Sequence, residues 1–174
     1  MALADYIYNK PIIETSRIIL RPLNPSDVPA LKEWMPDKSI YTYWGKGPGK
    51  TDKNPELLFT KKDRPTKSFH LGIVLKEINK TIGELWVYLI ENDRMAKIAV
   101  RVAKSYQGKG IASEAIKVML DFCFTHTELK RIWTDVDVRN IPSIKILEKY
   151  GFRREGHIRQ GKMVNTWCDY YIYG

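Results

Sequence analysis

The spacing of apolar residues changes several times along the chain, and each change marks an element. Arg17-Ile18-Ile19-Leu20-Arg21 predicts a short strand. Asn24-Pro25-Ser26-Asp27 carries a helix start, with an asparagine cap, proline at the first position and an aspartate placed to reach back. Val28, Leu31 and Trp34 follow at helical spacing, and Pro36 ends that helix. Residues 36–53 read as a loop rich in lysine and glycine, and Asn54-Pro55 starts a second short helix over about 54–62. Phe69, Leu71, Ile73 and Leu75 then alternate with other residues, which marks a strand. Strands over 81–90 and 95–104 follow, separated by turns at 77–80 and 91–94, so the three form an antiparallel meander.

Downstream of a glycine-bearing turn, residues 111–126 place Ile111, Ala115, Val118, Met119 and Phe122 on one helical stripe. A strand over 131–138 and a helix over 140–150 come next, with Gly151 at the left-handed cap position. Residues 152–173 fit two strands around Gln160-Gly161-Lys162. The order predicts an α/β protein with a mixed, mostly antiparallel sheet flanked by helices, built as one domain over 1–174. A length of 174 residues suits one domain and buries a core without metals or disulfides.

Composition narrows the chemistry. Lysine and arginine exceed aspartate and glutamate by 29 to 20, a formal charge of +9, which suggests a polyanionic partner. Nucleic acid and a phosphate-rich cofactor both fit, although the basic residues are not interleaved with aromatics in a recognisable RNA motif. Cys123 and Cys168 stand far apart, so neither a CxxC metal site nor a disulfide framework is expected. His70, His126 and His157 have no ligand spacing, so no metal is expected. The first 13 residues hold Asp5, Lys10 and Pro11, unlike a secretory signal, and no apolar run reaches membrane-spanning length. A reducing, cytoplasmic setting without a membrane partner is the expectation.

The chemistry centres on Gln107-Gly108-Lys109-Gly110-Ile111-Ala112, between a strand and a helix. Glycines there let the backbone turn sharply and approach a ligand. The first helical N–H groups lack intrahelical partners, and the helix dipole adds positive charge, which together suit phosphate. A plain strand-to-helix turn needs the same glycines. Ser113 occupies the third glycine position of GxGxxG, so this is no dinucleotide fingerprint. Gly47-Pro48-Gly49-Lys50-Thr51 mimics the end of a P-loop, but Trp44 stands where the leading glycine belongs and Pro48 removes an amide.

At this loop the chain resembles the GCN5-related N-acetyltransferase superfamily, whose phosphate loop is (Gln/Arg)-x-x-Gly-x-(Gly/Ala), filled here by Gln107, Gly110 and Ala112. It is similar to the branch that includes the ribosomal-protein N-terminal acetyltransferases. The matching stretches are Thr15 through Arg21, Ile82-Gly83, the block from Asn140 and Ser143 through Leu147-Glu148-Lys149, Gly151-Phe152 and Glu155-Gly156, and Trp167, Asp169 and Tyr173. The resemblance implies a sheet with splayed central strands, and an acetyl-CoA cosubstrate whose arm lies in that gap against Val102 and Ala103. Its phosphates would meet Gln107, Gly108, Lys109, Gly110, Ile111 and Ala112, with a backbone N–H near Val102 on the thioester oxygen. Lys145 and Lys149 would meet the 3′-phosphate, or else stand in solvent.

Where many relatives carry a proton-donating tyrosine, this chain has Leu147, and Tyr150 is out of register. The branch then implies Ser143 as catalytic acid, against a purely local role at the first helical turn. Asn140 is expected both to cap its helix and to bond the pantetheine amide. Glu84 is the candidate base acting through water; the competing expectation is an exposed strand glutamate. Asp135 and Asp137 alternate on one strand face and can attract a cationic acceptor, or be solvated. The implied reaction is acetyl transfer to a primary amine, either a protein or peptide N-terminus or a small polyamine or aminoglycoside-like molecule. The alternative is a non-catalytic coenzyme A-binding or RNA-associated module. Monomer and homodimer both remain open.

Overall fold

The computed structural model describes residues 2–60, 67–91 and 94–174. Eight strands form the sheet order β1-β2-β3-β4-β5-β6-β8-β7. They are β1 Ile13–Glu14, β2 Ile18–Arg21, β3 Ser68–Leu75, β4 Lys80–Glu91, β5 Met95–Val102, β6 Arg131–Asp137, β7 Arg154–Met163 and β8 Thr166–Tyr173. Among the described residues only the β5–β6 pair is parallel, so the sheet is mixed and mostly antiparallel as expected. The helices are α1 Asp5–Tyr8, α2 Val28–Trp34, α3 Lys50–Lys53, α4 Ile111–His126 and α5 Ile141–Lys149.

The two faces of the sheet differ because each strand alternates. Phe69, Leu71 and Ile73 of β3, Leu85 and Val87 of β4, and Ile98 of β5 enter the main core. There they meet Ile111, Ala115, Ile116, Met119 and Cys123 from α4. Burial pushes the Cys123 thiol up to about 12, so it acts as a small apolar side chain. The opposite face carries His70, Glu84, Trp86, Tyr88, Lys97 and Arg101, and is covered by α2 and the segment after it. Leu31, Trp34, Met35, Ile40 and Tyr41 form a second buried cluster there. The predicted capping box is present at Asn24. Asp27 accepts from the Asn24 amide and the Thr81 hydroxyl and forms a two-point ion pair with Arg21, tying α2 to β2 and β4.

Three local expectations need correction. Residues 36–53 are not plain loop: Lys38–Tyr41 is a 3-10 turn capped by Asp37, and α3 is a single helical turn. The second short helix is only a 3-10 turn, Pro55–Leu58, and its expected end at Lys62 lies outside the described residues. Residues Asn92 and Asp93 of the expected 91–94 turn also lie outside them. Gln160-Gly161-Lys162 is no hairpin turn. It is a bulge inside β7, with Gln160 at positive φ, and the chain reverses at Val164-Asn165. The element α1 was not foreseen, since four residues carry too little period to read.

Candidate active site

Strands β5 and β6 pair only over Met95–Lys97 and Arg131–Trp133. Beyond that, β5 stays with β4 up to Val102, while β6 turns to β8 up to Asp137. The result is a wedge-shaped gap in mid-sheet, lined by Ile98, Val100, Val136, Ile116, Ser143 and Leu147. The Ala103 amide donates to the Ile82 carbonyl on β4 at 2.8 Å. Backbone groups alternate sides along a strand, so the amides of Val100 and Val102 face the gap. Gln107 Nε2 donates to the Val102 carbonyl at 3.0 Å and holds that edge in place. Ala103 therefore cannot offer its amide to a ligand arm, and of the expected pair only Val102 presents one.

At the end of β5 the backbone turns through Gly108 and Gly110, with φ of 74° and 78°, into α4. A left-handed N-cap suits glycine, and no side chain caps α4, so the first helical amides stay unclaimed by the helix. Arg17 braces the loop: it donates to the Lys109 carbonyl at 3.1 Å and pairs with Glu114. Lys109 stacks over Tyr106, and Lys149 reaches the Ser113 hydroxyl in the first turn of α4 at 3.5 Å. Lys145 is exposed one turn earlier on α5. Open amides at a helix N-terminus, no side chain over Gly108, and lysines on both sides fit a diphosphate.

Across the gap, Asn140 caps α5 by accepting from the Ser143 amide at 3.3 Å. Both line the cleft, while Leu147 is buried in it. The Tyr150 hydroxyl bonds Ser113 at 2.8 Å, away from the acid position.

The open sheet face holds a cleft of about 600 Å³. Glu84 is at its floor, not exposed as one reading held: 1 % of it is accessible. Its Oε2 accepts from Arg101 Nε at 2.7 Å, and its Oε1 accepts from His70 Nε2 at 2.7 Å. Arg101 also donates to the Tyr41 hydroxyl at 2.6 Å and to Asp52 at 2.7 Å. Its guanidinium lies 5.1–5.9 Å from the ring centres of Trp34, Tyr41, Trp44 and Trp86. Burial alone would raise the Glu84 and Asp52 carboxyls. His70 and Arg101 beside Glu84, and Arg101 beside Asp52, overcome it and hold both below their ordinary values. Asp135 and Asp137, considered for attracting a cationic acceptor, are each paired already: Asp135 with Lys97 at 2.6 Å and Asp137 with Arg139 at 2.6 Å.

A lone histidine on an alternating strand has no spacing that marks it in the sequence beyond the absence of a metal-ligand pattern, so His70 emerges here from the fold. Its one legible signal was position, since Ser68 and His70 share the face opposite Phe69 and Leu71. Its ring stacks on Trp86 at 4.9 Å. Among the described residues no three His, Cys, Asp or Glu gather where they could hold a metal ion, and no helix is long and apolar enough to cross a membrane.

The acetyltransferase (GNAT) domain family matches residues 17–153. An N-acetyltransferase of Bacillus subtilis is 28% identical over 162 residues, covering 92% of this chain and 94% of that protein. A spermidine N(1)-acetyltransferase of Vibrio cholerae is 30% identical over 155 residues, 86% of this chain and 87% of the relative. The solved spermidine N-acetyltransferase from Vibrio cholerae, in complex with CoA and spermine, superposes with a TM-score of 0.78 at 25% identity, covering 91% and 95% of the two chains. A putative ribosomal N-acetyltransferase of Bacillus subtilis is 36% identical over 81 residues, 47% of this chain and 44% of that one. The split parallel pair, the glycine-turned helix start and these likenesses place the chain in the GNAT family of N-acetyltransferases.

Proposed function

We propose that this chain transfers acetyl from acetyl-CoA to a primary amine, with the cosubstrate's arm in the β5–β6 gap. The observation that supports it most is that gap, ending beside the glycine-turned N-terminus of α4. Amides of Gly108 to Ala112, with Lys109, would hold the diphosphate; Lys149 and Lys145 would meet the remaining phosphate. Val102 and Val100 lend an unpaired strand edge to the arm, in the manner of strand addition, and Asn140 offers its amide NH₂ while its carbonyl caps α5. Bound acetyl-CoA supplies an activated acyl carbon and a thiol leaving group.

The chain's residues then have three tasks. The Val102 N–H opposes the charge that builds on the thioester oxygen. The amine's proton leaves through water to His70. Glu84 accepts only, so the ring carries its hydrogen on Nε2, toward Glu84, and the lone pair on Nδ1. Glu84, clamped by Arg101, orients the ring and is a positioning residue, which refines the reading of Glu84 as the base itself. Ser143, across the gap, passes its hydroxyl proton to the departing thiolate while taking one from a solvent water, so that no serine alkoxide is left and the thiol leaves neutral. A cytoplasmic setting, and one domain over the whole chain, complete the reading.

Thiol release from acetyl-CoA, screened over peptides, polyamines and aminoglycosides, tests the reading. Release with at least one amine class is expected; none at millimolar acetyl-CoA contradicts it in favour of a binding module. Ser143→Ala should lower kcat about tenfold or more with the KM for acetyl-CoA nearly unchanged. His70→Gln and Glu84→Gln should each lower kcat by about 10²-fold, and the double variant no further, because they act as one unit. Steady-state kinetics with acetyl-CoA varied at saturating amine reads all four.

A further inference from the structure

The charges around the acceptor cleft are unevenly satisfied. Its carboxylates, Asp52, Glu84, Asp135 and Asp137, are each held by a cation: Arg101 takes the first two, Lys97 the third and Arg139 the fourth. By contrast Lys46 and Lys162, on the cleft's rim, pair with no carboxylate among the described residues. Lys46 also borders an adjoining chamber of about 250 Å³ that holds Lys38 and Arg139.

The rim is built and held. Gly45, at φ 66°, accepts from the Asn165 amide and the Thr166 hydroxyl, both at 3.0 Å, so the Tyr43–Lys46 segment is strapped to the β7–β8 hairpin tip. A Cβ on Gly45 would stand 2.1 Å from the Met163 carbonyl, so the two segments touch backbone to backbone. Lys46 and Lys162 are both exposed and line the cleft, one on each of the two strapped segments, whereas Glu84 is buried at its floor.

We infer that the acceptor is a peptide or protein N-terminus followed by acidic residues. This rests on the acetyl-transfer reading above and adds the substrate class. An extended chain keeps its amine at the sheet face while its second and third residues run outward, about 3.3–3.6 Å each, past the strap. Carboxylates there meet Lys46, Lys162 and, in the chamber beyond, Lys38. A polyamine would bring its second and third ammonium groups to the same lysines and would find each carboxylate already paired. The +9 charge of the chain steers an acidic partner in the same sense.

The test compares thiol release with four acceptors: tetrapeptide amides with two glutamates, two glycines or two lysines after an N-terminal serine, and spermidine. The glutamate peptide should exceed the lysine peptide in kcat/KM by about tenfold at low salt, and the margin should shrink near about 1 M sodium chloride. The double reversal Lys46→Glu with Lys162→Glu should invert the order of the two charged peptides, while calorimetry shows unchanged acetyl-CoA affinity. Release led by the lysine peptide or spermidine, or an order that the reversal leaves unaltered, overturns the charge proposal alone. No release from any of the four, with acetyl-CoA bound, overturns the charge proposal, and the transfer reading falls with it only if the wider screen of peptides, polyamines and aminoglycosides is silent too.

Discussion

Gly110→Glu should cut acetyl-CoA affinity by on the order of 100-fold or more while the fold survives. Two effects combine. Gly110 sits at φ 78° and ψ 0° as the N-cap of α4, a left-handed conformation that costs a side-chain-bearing residue about 1–2 kcal/mol. The new carboxylate also lands where the helix amides and Lys109 wait for a diphosphate, and it repels the ligand while competing for the same donors. A Cβ here meets only the Arg17 guanidinium, at 3.4 Å, the far end of a flexible side chain, so the packing tolerates it. Calorimetric titration with acetyl-CoA, beside a thermal melt of the free protein, separates lost binding from lost folding. Full affinity in the variant would remove the loop from the cosubstrate site.

Arg101→Leu should be the most damaging single change to stability. Arg101 is 8 % exposed and holds Glu84 and Asp52 together inside four aromatic rings. Removing one partner of a buried ion pair costs about 3–5 kcal/mol, since the other charge is left without compensation. For a chain of this size that is a fall of about 6–20 °C in Tm. The pH dependence carries the sign. In the native protein both carboxyls are depressed in the fold, so their stabilisation is complete above the unfolded values near about 4 and is lost as pH falls through the lower folded ones. Without the guanidinium, burial dominates and raises Asp52, left with the Tyr41 hydroxyl and the Gly49 amide. Native stability should therefore hold from pH 7 to 5, whereas the variant's deficit should narrow over the same interval. Thermal melts at the two pH values check this, and a deficit independent of pH would assign the loss to packing.

The long elements were legible because each repeats its period enough times to be read. Residues 111–126 and the block of three antiparallel strands came through with little error, and Gly108, Gly110 and Asn140 stand where their backbone chemistry requires them. The short pieces were not: α1, α3 and the turn at Lys38–Tyr41 are held by tertiary packing and by single caps such as Asp37, which leave no period. Gly161 was read as a turn because glycine marks bulges and turns alike. The glycine-turned start of α4 could be found because its residues are contiguous. The His70–Glu84–Arg101–Asp52 chain could not, since it joins β3, β4, β5 and α3, and Glu84 has the same alternating pattern whether it faces water or a buried arginine. Buried charge is a property of what lies opposite, which only the fold supplies.

The central claim is that the parted strands β5 and β6 form a slot for the acyl carrier, anchored by the start of α4. A crystal structure with coenzyme A reads this directly. The account predicts the diphosphate within hydrogen-bond distance of the Gly108–Ala112 amides and the thiol end beside Val102. A bound coenzyme elsewhere on the surface, with the slot closed by side chains from both strands, would contradict it.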